Sequence, residues 1–189
     1  KDQDVAPGTP GELLVRHSAA HPRRGFFLAD HKNEQATAEA WRGDWFHTGD
    51  TVRQDEDGML YFIDRNKNII RRSGENIAAG EIEAALQAHS AVAQAAVIGV
   101  PDDLREEEVF ACIVVMPDTD PNETTARALF DWCMARLAYY KAPGYVLFRE
   151  SLPTTGTQKV QKTLIFPPET DPRAEPGCID LRSAKRRGN

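Results

Sequence analysis

At 189 residues the chain is long enough for one domain with a real core, or for one small domain plus a piece of another. A formal net charge of −6 gives no basic field to hold a phosphate backbone, which argues against nucleic acid as a partner and leaves small anions to local Arg and Lys. Three separated cysteines, Cys112, Cys133 and Cys178, lack paired metal spacing and suit a reducing cytosol, and no apolar run approaches the roughly 20 residues of a membrane span.

The chain opens on Lys1 without an initiator Met, and Val5 to Gly11 reads as a loop already in progress, so an excerpt of a longer polypeptide is expected. Glu12 to Arg16 then has the character of a strand after a Pro/Gly turn, and Glu34 to Trp41 carries an Ala-rich helical pattern ending at Gly43. Thr51-Val52-Arg53 and Met59 to Ile63 flank Asp57-Gly58, a hairpin signal. A second hairpin follows, with arms at Asn68 to Arg71 and Asn76-Ile77 and a Ser73-Gly74-Glu75 turn in which Gly74 takes positive φ cheaply.

From Ala79 to His89 the apolar period changes to that of a helix, with Ile82, Ala85, Leu86 and His89 on one face. Ala95 to Val100 and Val109 to Val115 are short β-branched runs expected as buried strands. Asp120-Pro121-Asn122-Glu123 predicts a helix start capped by Asp120, followed by the stripe Leu129, Phe130, Cys133, Met134 and Leu137. Tyr145 to Phe148 is a final strand, a loop runs through Pro153 to Thr157, and Pro-rich charged residues 167–189 are expected as an extended tail. The fold class is therefore α+β, a small sheet with helices packed on it.

Several residues have the chemistry of a nucleotide site. Asp50 follows Gly49 at a strand lip, where its carboxylate can accept two hydrogen bonds from the vicinal hydroxyls of a ribose, although a Gly-Asp pair equally serves an ordinary turn. The fork of donors on Arg65 can reach ribose or phosphate oxygens, or form a surface ion pair. Lys159 and Lys162 lie on a polar stretch, where solvated loop lysines are the ordinary alternative to catalysis. His17, His21 and His31 lack ligand spacing, so no metal site is expected. Asp55-Glu56-Asp57, Arg105 to Glu108 and Arg182 to Arg187 read as solvated, and neither a Gly-Lys-Ser/Thr phosphate loop nor a nucleophile elbow is present.

Taken in order, Phe46-His47-Thr48-Gly49-Asp50, Asp64-Arg65, Arg72-Ser73-Gly74-Glu75-Asn76-Ile77 and Leu152 to Lys162 resemble the signatures of adenylate-forming enzymes, the acyl-CoA synthetase superfamily. The resemblance runs from about Val5 to Ile165. It implies that residues 1–63 end an N-terminal AMP-binding domain, that 64–166 form a mobile C-terminal domain, and that the rest of the N-terminal domain lies outside this sequence as its partner. It assigns ATP/AMP binding to Asp50 and Arg65, with the ribose on Asp50, the hinge to Asp64 and Lys67, and a channel for the pantetheine thiol of CoA to Ser73, Gly74 and Glu75. Lys159 becomes the catalytic residue, its ammonium meeting charge that builds as a carboxylate attacks the α-phosphorus of ATP.

The activity so implied is acid activation with ATP and Mg²⁺ to an acyl adenylate, then transfer of the acyl group to CoA. The substrate would be a small-molecule carboxylic acid, of medium or long-chain or crotonobetaine/carnitine type. An adenylation domain loading a carrier-protein thiol and a non-catalytic domain retaining the fold are the alternatives. Two positions depart from the pattern: Thr154 stands where the family has Lys, and Gln158 stands where it has the Gly before the catalytic Lys. Gln adopts positive φ less readily than Gly, which puts the geometry of the Lys159 loop in question.

Overall fold

The computed structural model describes residues 3–26 and 33–185, so His31 and the last two residues of the basic run Arg182 to Arg187 lie outside the described residues. The chain divides into two compact units, Lys1–Lys67 and Asn68–Asn189.

The first unit is built on a four-stranded sheet. Strand β1 (Pro10–Val15) and β2 (Trp41–Arg42) both pair antiparallel with β3 (Trp45–Gln54), which also pairs with β4 (Leu60–Arg65). Helix α1 (Glu34–Ala40) precedes β2 and is capped by the Asn33 side chain, which accepts the Ala36 N–H at 3.0 Å. The β3–β4 turn forms where Asp57-Gly58 predicts it. Asp55 Oδ1 accepts the N–H groups of Asp57 and Met59, and Gly58 has φ of 83°. Packing is aromatic: the Phe26 ring lies 5.2 Å from Trp41 and 5.6 Å from Phe46.

The second unit is α+β, as expected. Strands β5 (Ile69–Arg72) and β6 (Glu75–Ala78) form the second predicted hairpin, and its turn places both Ser73 and Gly74 at positive φ, 50° and 80°. Helix α2 (Ala79–Gln87) buries Ala79, Ile82 and Leu86. Strands β7 (Val92–Asp102) and β8 (Glu106–Val115) pair antiparallel along their whole length, and β9 (Tyr145–Phe148) runs parallel to β8. Helix α3 (Glu123–Met134) buries Ala126, Leu129, Phe130 and Cys133. It begins two residues later than the sequence suggests, because Asn122 rather than Asp120 is the cap. Asn122 Oδ1 accepts the Thr125 N–H, while the Asp120 carbonyl is taken by the Thr125 hydroxyl.

The unbroken apolar run of β8 is explained by burial on both faces. Val109, Ala111 and Ile113 point toward α2 and α3. Phe110 and Cys112 point to the opposite face, where Leu147 and Leu152 pack with Val160, Ile165, Phe166 and Cys178. Period two in the strand thus creates a second apolar face, and the chain from Leu152 onward covers it. That requirement also disposes of the expected extended tail. Residues 168–185 fold back, β10 (Ile179–Asp180) pairs with β9, and Leu181 is buried.

A buried ion cluster fixes this return, at a place where the sequence suggested two solvated charge runs. Glu108, in β8, has a side chain 1% exposed; Arg72 of β5 and Lys185 beyond β10 are each 3% exposed. Arg72 Nε donates to both Glu108 oxygens at 3.0 Å, and Lys185 Nζ donates to Oε1. A Cβ on Gly144 would lie 2.5 Å from Glu108 Cγ, so only glycine lets the β9 lead-in pass. The run from Arg105 to Glu108 therefore belongs largely to a strand, and the basic terminus is docked rather than solvated at Lys185.

Burial lowers the Lys185 ammonium from 10.5 to about 8, with Glu108 opposing that shift. Between about pH 8 and 10.5 the unfolded chain holds a proton that the folded chain has released, so stability should rise with pH through that window. Lys185→Met should remove this rise. Glu108→Gln, which leaves two buried cations without their carboxylate, should cost about 3–5 kcal/mol. Urea unfolding from pH 7 to 10 checks both, and a flat wild-type profile would contradict the assignment.

Candidate nucleotide and catalytic-loop sites

Asp50 and Arg65 are brought together inside the first unit. They are direct partners in the β3–β4 register, and Arg65 Nε lies 3.2 Å from Asp50 Oδ1. That contact is an ion pair without hydrogen-bond alignment, so Oδ1 is a buried acceptor lacking a hydrogen-bond partner. Arg65 is half exposed and its charge is correspondingly screened. Asp64 is buried and its Oδ1 accepts the Arg65 N–H at 2.7 Å.

The backbone leading to Asp50 is irregular in a specific way. β1 pairs Glu12 with Thr51 and Leu14 with His47, so Leu13 alone spans Thr48, Gly49 and Asp50. This bulge interrupts the ladder just before Asp50, whose side chain is partly exposed. The hydrogen bonds it removes are replaced by side chains. Thr48 Oγ1 donates to the Leu13 carbonyl at 2.8 Å and accepts the Asp50 N–H at 3.1 Å, while Gly49, with φ of 71°, donates its N–H to Glu12 Oε1 at 3.1 Å. Glu12 Oε2 lies 3.0 Å from His47 Nδ1. Sequence reading places Glu12 in a strand and gives it no role; its partners lie 35 and 37 residues downstream, beyond any local pattern.

Lys67 sits in the 3₁₀ turn Asn66–Asn68, where the first unit ends and the second begins. Ser73, Gly74 and Glu75 are exposed at the β5–β6 turn, which is held from below by the Ser73 N–H donating to the Arg105 carbonyl at 3.0 Å. A Cβ on Gly74 would meet nothing within 4 Å. The turn is therefore open, and its glycine answers to backbone conformation rather than to crowding.

Lys159 is exposed at the tip of a tight loop on the second apolar face. Thr154 and Val160 bridge the loop, the Thr155 N–H donates to the Lys159 carbonyl at 2.8 Å, and Thr155 Oγ1 accepts the Lys159 N–H at 3.2 Å. Gln158 has φ of 63°, so the loop keeps the left-handed backbone that a glycine would favour despite the side chain. Lys162 is differently placed. Its Nζ lies 2.8 Å from Glu83 Oε1, an oxygen that also accepts the Val97 N–H, so Lys162 ties the loop base to α2 and β7 rather than projecting as a free cation.

Cys112 and Cys133 are not nucleophile candidates: burial pushes Cys112 up to about 12 and Cys133 up to about 11. Among the described residues no group of three or more His, Cys, Asp or Glu is arranged to hold a metal ion. Nor, among the described residues, is any helix long and apolar enough to cross a membrane.

Comparison with known proteins agrees with this architecture. Residues 81–159 match the family described as AMP-binding enzyme C-terminal domain. The chain is 37% identical over 163 residues to the crotonobetaine/carnitine–CoA ligase of Proteus mirabilis, covering 86% of this chain and 30% of that ligase. Among solved structures, o-succinylbenzoate CoA synthetase from Bacillus subtilis with its acyl-adenylate intermediate superposes with a TM-score of 0.69 at 29% identity, over 88% of this chain and 32% of that one. ATP-bound MatB from Rhodopseudomonas palustris gives a TM-score of 0.66 at 28% identity, over 85% of this chain and 30% of that one. The chain thus spans about a third of the length of these relatives.

The strained Gln158 yields a direct test. A non-glycine residue in the left-handed region costs about 1–2 kcal/mol, partly offset by the larger unfolded-state entropy of glycine. Gln158→Gly should therefore stabilise the chain by up to about 1 kcal/mol, and Gln158→Val should destabilise it. Thermal unfolding of the three proteins decides; equal midpoints would mean the loop relaxes away from positive φ.

Proposed function

We propose that this chain, a C-terminal portion of the adenylate-forming superfamily, serves an ATP-dependent acid:CoA ligase. The observation that carries the reading is Asp50: a partly exposed carboxylate opposite Arg65, at the end of a bulge, with one oxygen lacking a hydrogen-bond partner. A ribose diol would supply the missing donor. Similarity to the crotonobetaine/carnitine–CoA ligase and to the ATP-bound structure supports ATP and CoA as co-substrates.

In the first half-reaction a carboxylate oxygen of the acid attacks the α-phosphorus of ATP, the bond to the bridging oxygen breaks, and pyrophosphate leaves. Lys159 meets the charge that accumulates on the α-phosphate oxygens, an interaction stronger in the transition state than in the ground state. The exposed ammonium on a preorganised loop suits that task, whereas the Lys162 ammonium is already engaged by Glu83. In the second half-reaction the CoA sulfur attacks the acyl carbon, the C–O bond to AMP breaks, and the thiol proton passes to solvent. The open turn at Ser73, Gly74 and Glu75 lines the path of the thiol, and Asp64 and Lys67 flank the hinge at which the second unit reorients between the steps. Mg²⁺ would arrive with ATP, since the described residues form no group of His, Cys, Asp or Glu that could hold a metal ion. The acid pocket, adenine pocket and phosphate loop would be supplied by the N-terminal domain of the ligase. Its place would be the reducing cytoplasm, in keeping with the free thiols.

In a ligase carrying this chain, Lys159→Ala should lower acid-dependent pyrophosphate exchange by about 10²-fold or more while sparing thioester formation from preformed acyl adenylate. Gly74→Leu should do the reverse and accumulate acyl adenylate, since a side chain there enters the thiol path. Equal loss of both half-reactions in Lys159→Ala would move the role elsewhere. The isolated chain should make no acyl-CoA and bind ATP only weakly, with a dissociation constant above about 1 mM, because one wall of a divided site provides little buried area. Calorimetric titration with ATP and Mg²⁺ checks this, and tight binding would favour a freestanding nucleotide-binding domain.

A further inference from the structure

We propose that Glu12 is a positioning residue: its carboxylate replaces the strand ladder beneath the Gly49-Asp50 bulge and thereby sets the direction in which Asp50 faces a ribose. The inference rests on the reading of Asp50 as the ribose-binding group.

The β1–β3 ladder is interrupted at this point and nowhere else along that pair. A bulge leaves backbone donors without strand partners, and a buried unpaired N–H is costly. Gly49 lies in the middle of the bulge, with φ of 71°. The acceptor it finds is Glu12 Oε1, at 3.1 Å. The second oxygen of the same carboxylate lies 3.0 Å from His47 Nδ1, on the other side of the bulge. Glu12 therefore spans the irregular stretch, one oxygen on Gly49 and one on His47, with Asp50 as the next residue along.

The histidine explains why a carboxylate is used there. His47 Nδ1 faces both Glu12 Oε2 and Arg42 Nη2, each at 3.0 Å, and one ring nitrogen cannot donate to the first and accept from the second at once. With the proton on Nδ1 the ring donates to Glu12, and the Arg42 guanidinium is left beside that pair. His47 is buried and its Nε2 has no hydrogen-bond partner, so Glu12 is the acceptor that holds the ring. A neutral side chain able to accept one bond would hold Gly49. Only an acceptor with two oxygens holds Gly49 and a protonated Nδ1 together.

The test uses the ¹⁵N-labelled chain, with Gly49 and Asp50 amide exchange and AMP titration read by amide shifts, which detect millimolar binding. Glu12→Ala should speed Gly49 exchange about tenfold or more and weaken AMP binding several-fold, with the amides of the second unit unchanged. Glu12→Gln, which keeps an acceptor for Gly49, should retain most of the protection and most of the affinity. If Glu12→Ala unfolds the first unit, Glu12→Asp keeps the charge but retracts it by one methylene and should give the same loss. Unchanged Gly49 exchange and unchanged AMP affinity in Glu12→Ala and Glu12→Asp would overturn the proposal. Asp50→Ala separates the two claims. If AMP affinity is indifferent to Asp50, or AMP shifts no wild-type amide, the ribose reading fails, and with it the purpose assigned to Glu12, while Gly49 exchange still reports whether Glu12 holds the bulge.

Discussion

The second unit depends on one buried carboxylate. Glu108, a residue of β8, is buried between Arg72 of β5 and Lys185 at the end of the described chain. Any one of them alone would be an uncompensated charge in an apolar interior, costing several kcal/mol. Together they require that the β5–β6 hairpin, the central strand and the returning terminus occupy one arrangement. The hairpin turn proposed to line the thiol path is thus attached to the core through its own last strand residue. Specificity of arrangement, rather than net stability, is what such a cluster supplies, since an apolar replacement of all three would be about as stable.

A second constraint sets the position of the Lys159 loop. β8 is apolar at every residue from Val109 to Ile113, so the face opposite the helices must be covered as well. Val160, Ile165 and Phe166 do this from the chain that follows β9, and the Glu83–Lys162 pair pins the same segment to α2. The loop between Thr154 and Val160 is therefore short, closed by a bridge, and anchored at its base, while Lys159 itself stays exposed. Rigid support with a solvent-facing charge is the arrangement expected of a group that must meet a ligand held elsewhere. Strain at Gln158 is confined to that tip.

Most of this was legible where the signal is local. Asp57-Gly58 and Ser73-Gly74 mark turns that form, the period change at Ala79 marks α2, and the β-branched runs mark β7 and β8. The Asp50 and Arg65 positions could be picked out because the ordered motifs resemble a family, and the register then shows them as direct partners. What stayed hidden depends on distant residues. Glu108 sits in a run of four charged residues, and its burial is decided by Arg72 and Lys185, 36 and 77 positions away. The return of residues 167–185 was invisible for the same reason: its few apolar groups have value only against a face made by other strands. Glu12 escaped notice because a bulge cannot be read from one strand.

The proposed chemistry activates the acid at the α-phosphorus of ATP, with Asp50, Arg65 and Lys159 as this chain's contribution. The most direct measurement follows oxygen. An acid carrying ¹⁸O in its carboxylate, incubated with ATP, CoA and a ligase containing this chain, should deliver one labelled oxygen to the phosphate of AMP and none to pyrophosphate, because the acyl C–O bond breaks after the O–P bond has formed. Label appearing in inorganic phosphate, or absent from AMP while acyl-CoA is made, would contradict adenylate formation and the roles built upon it.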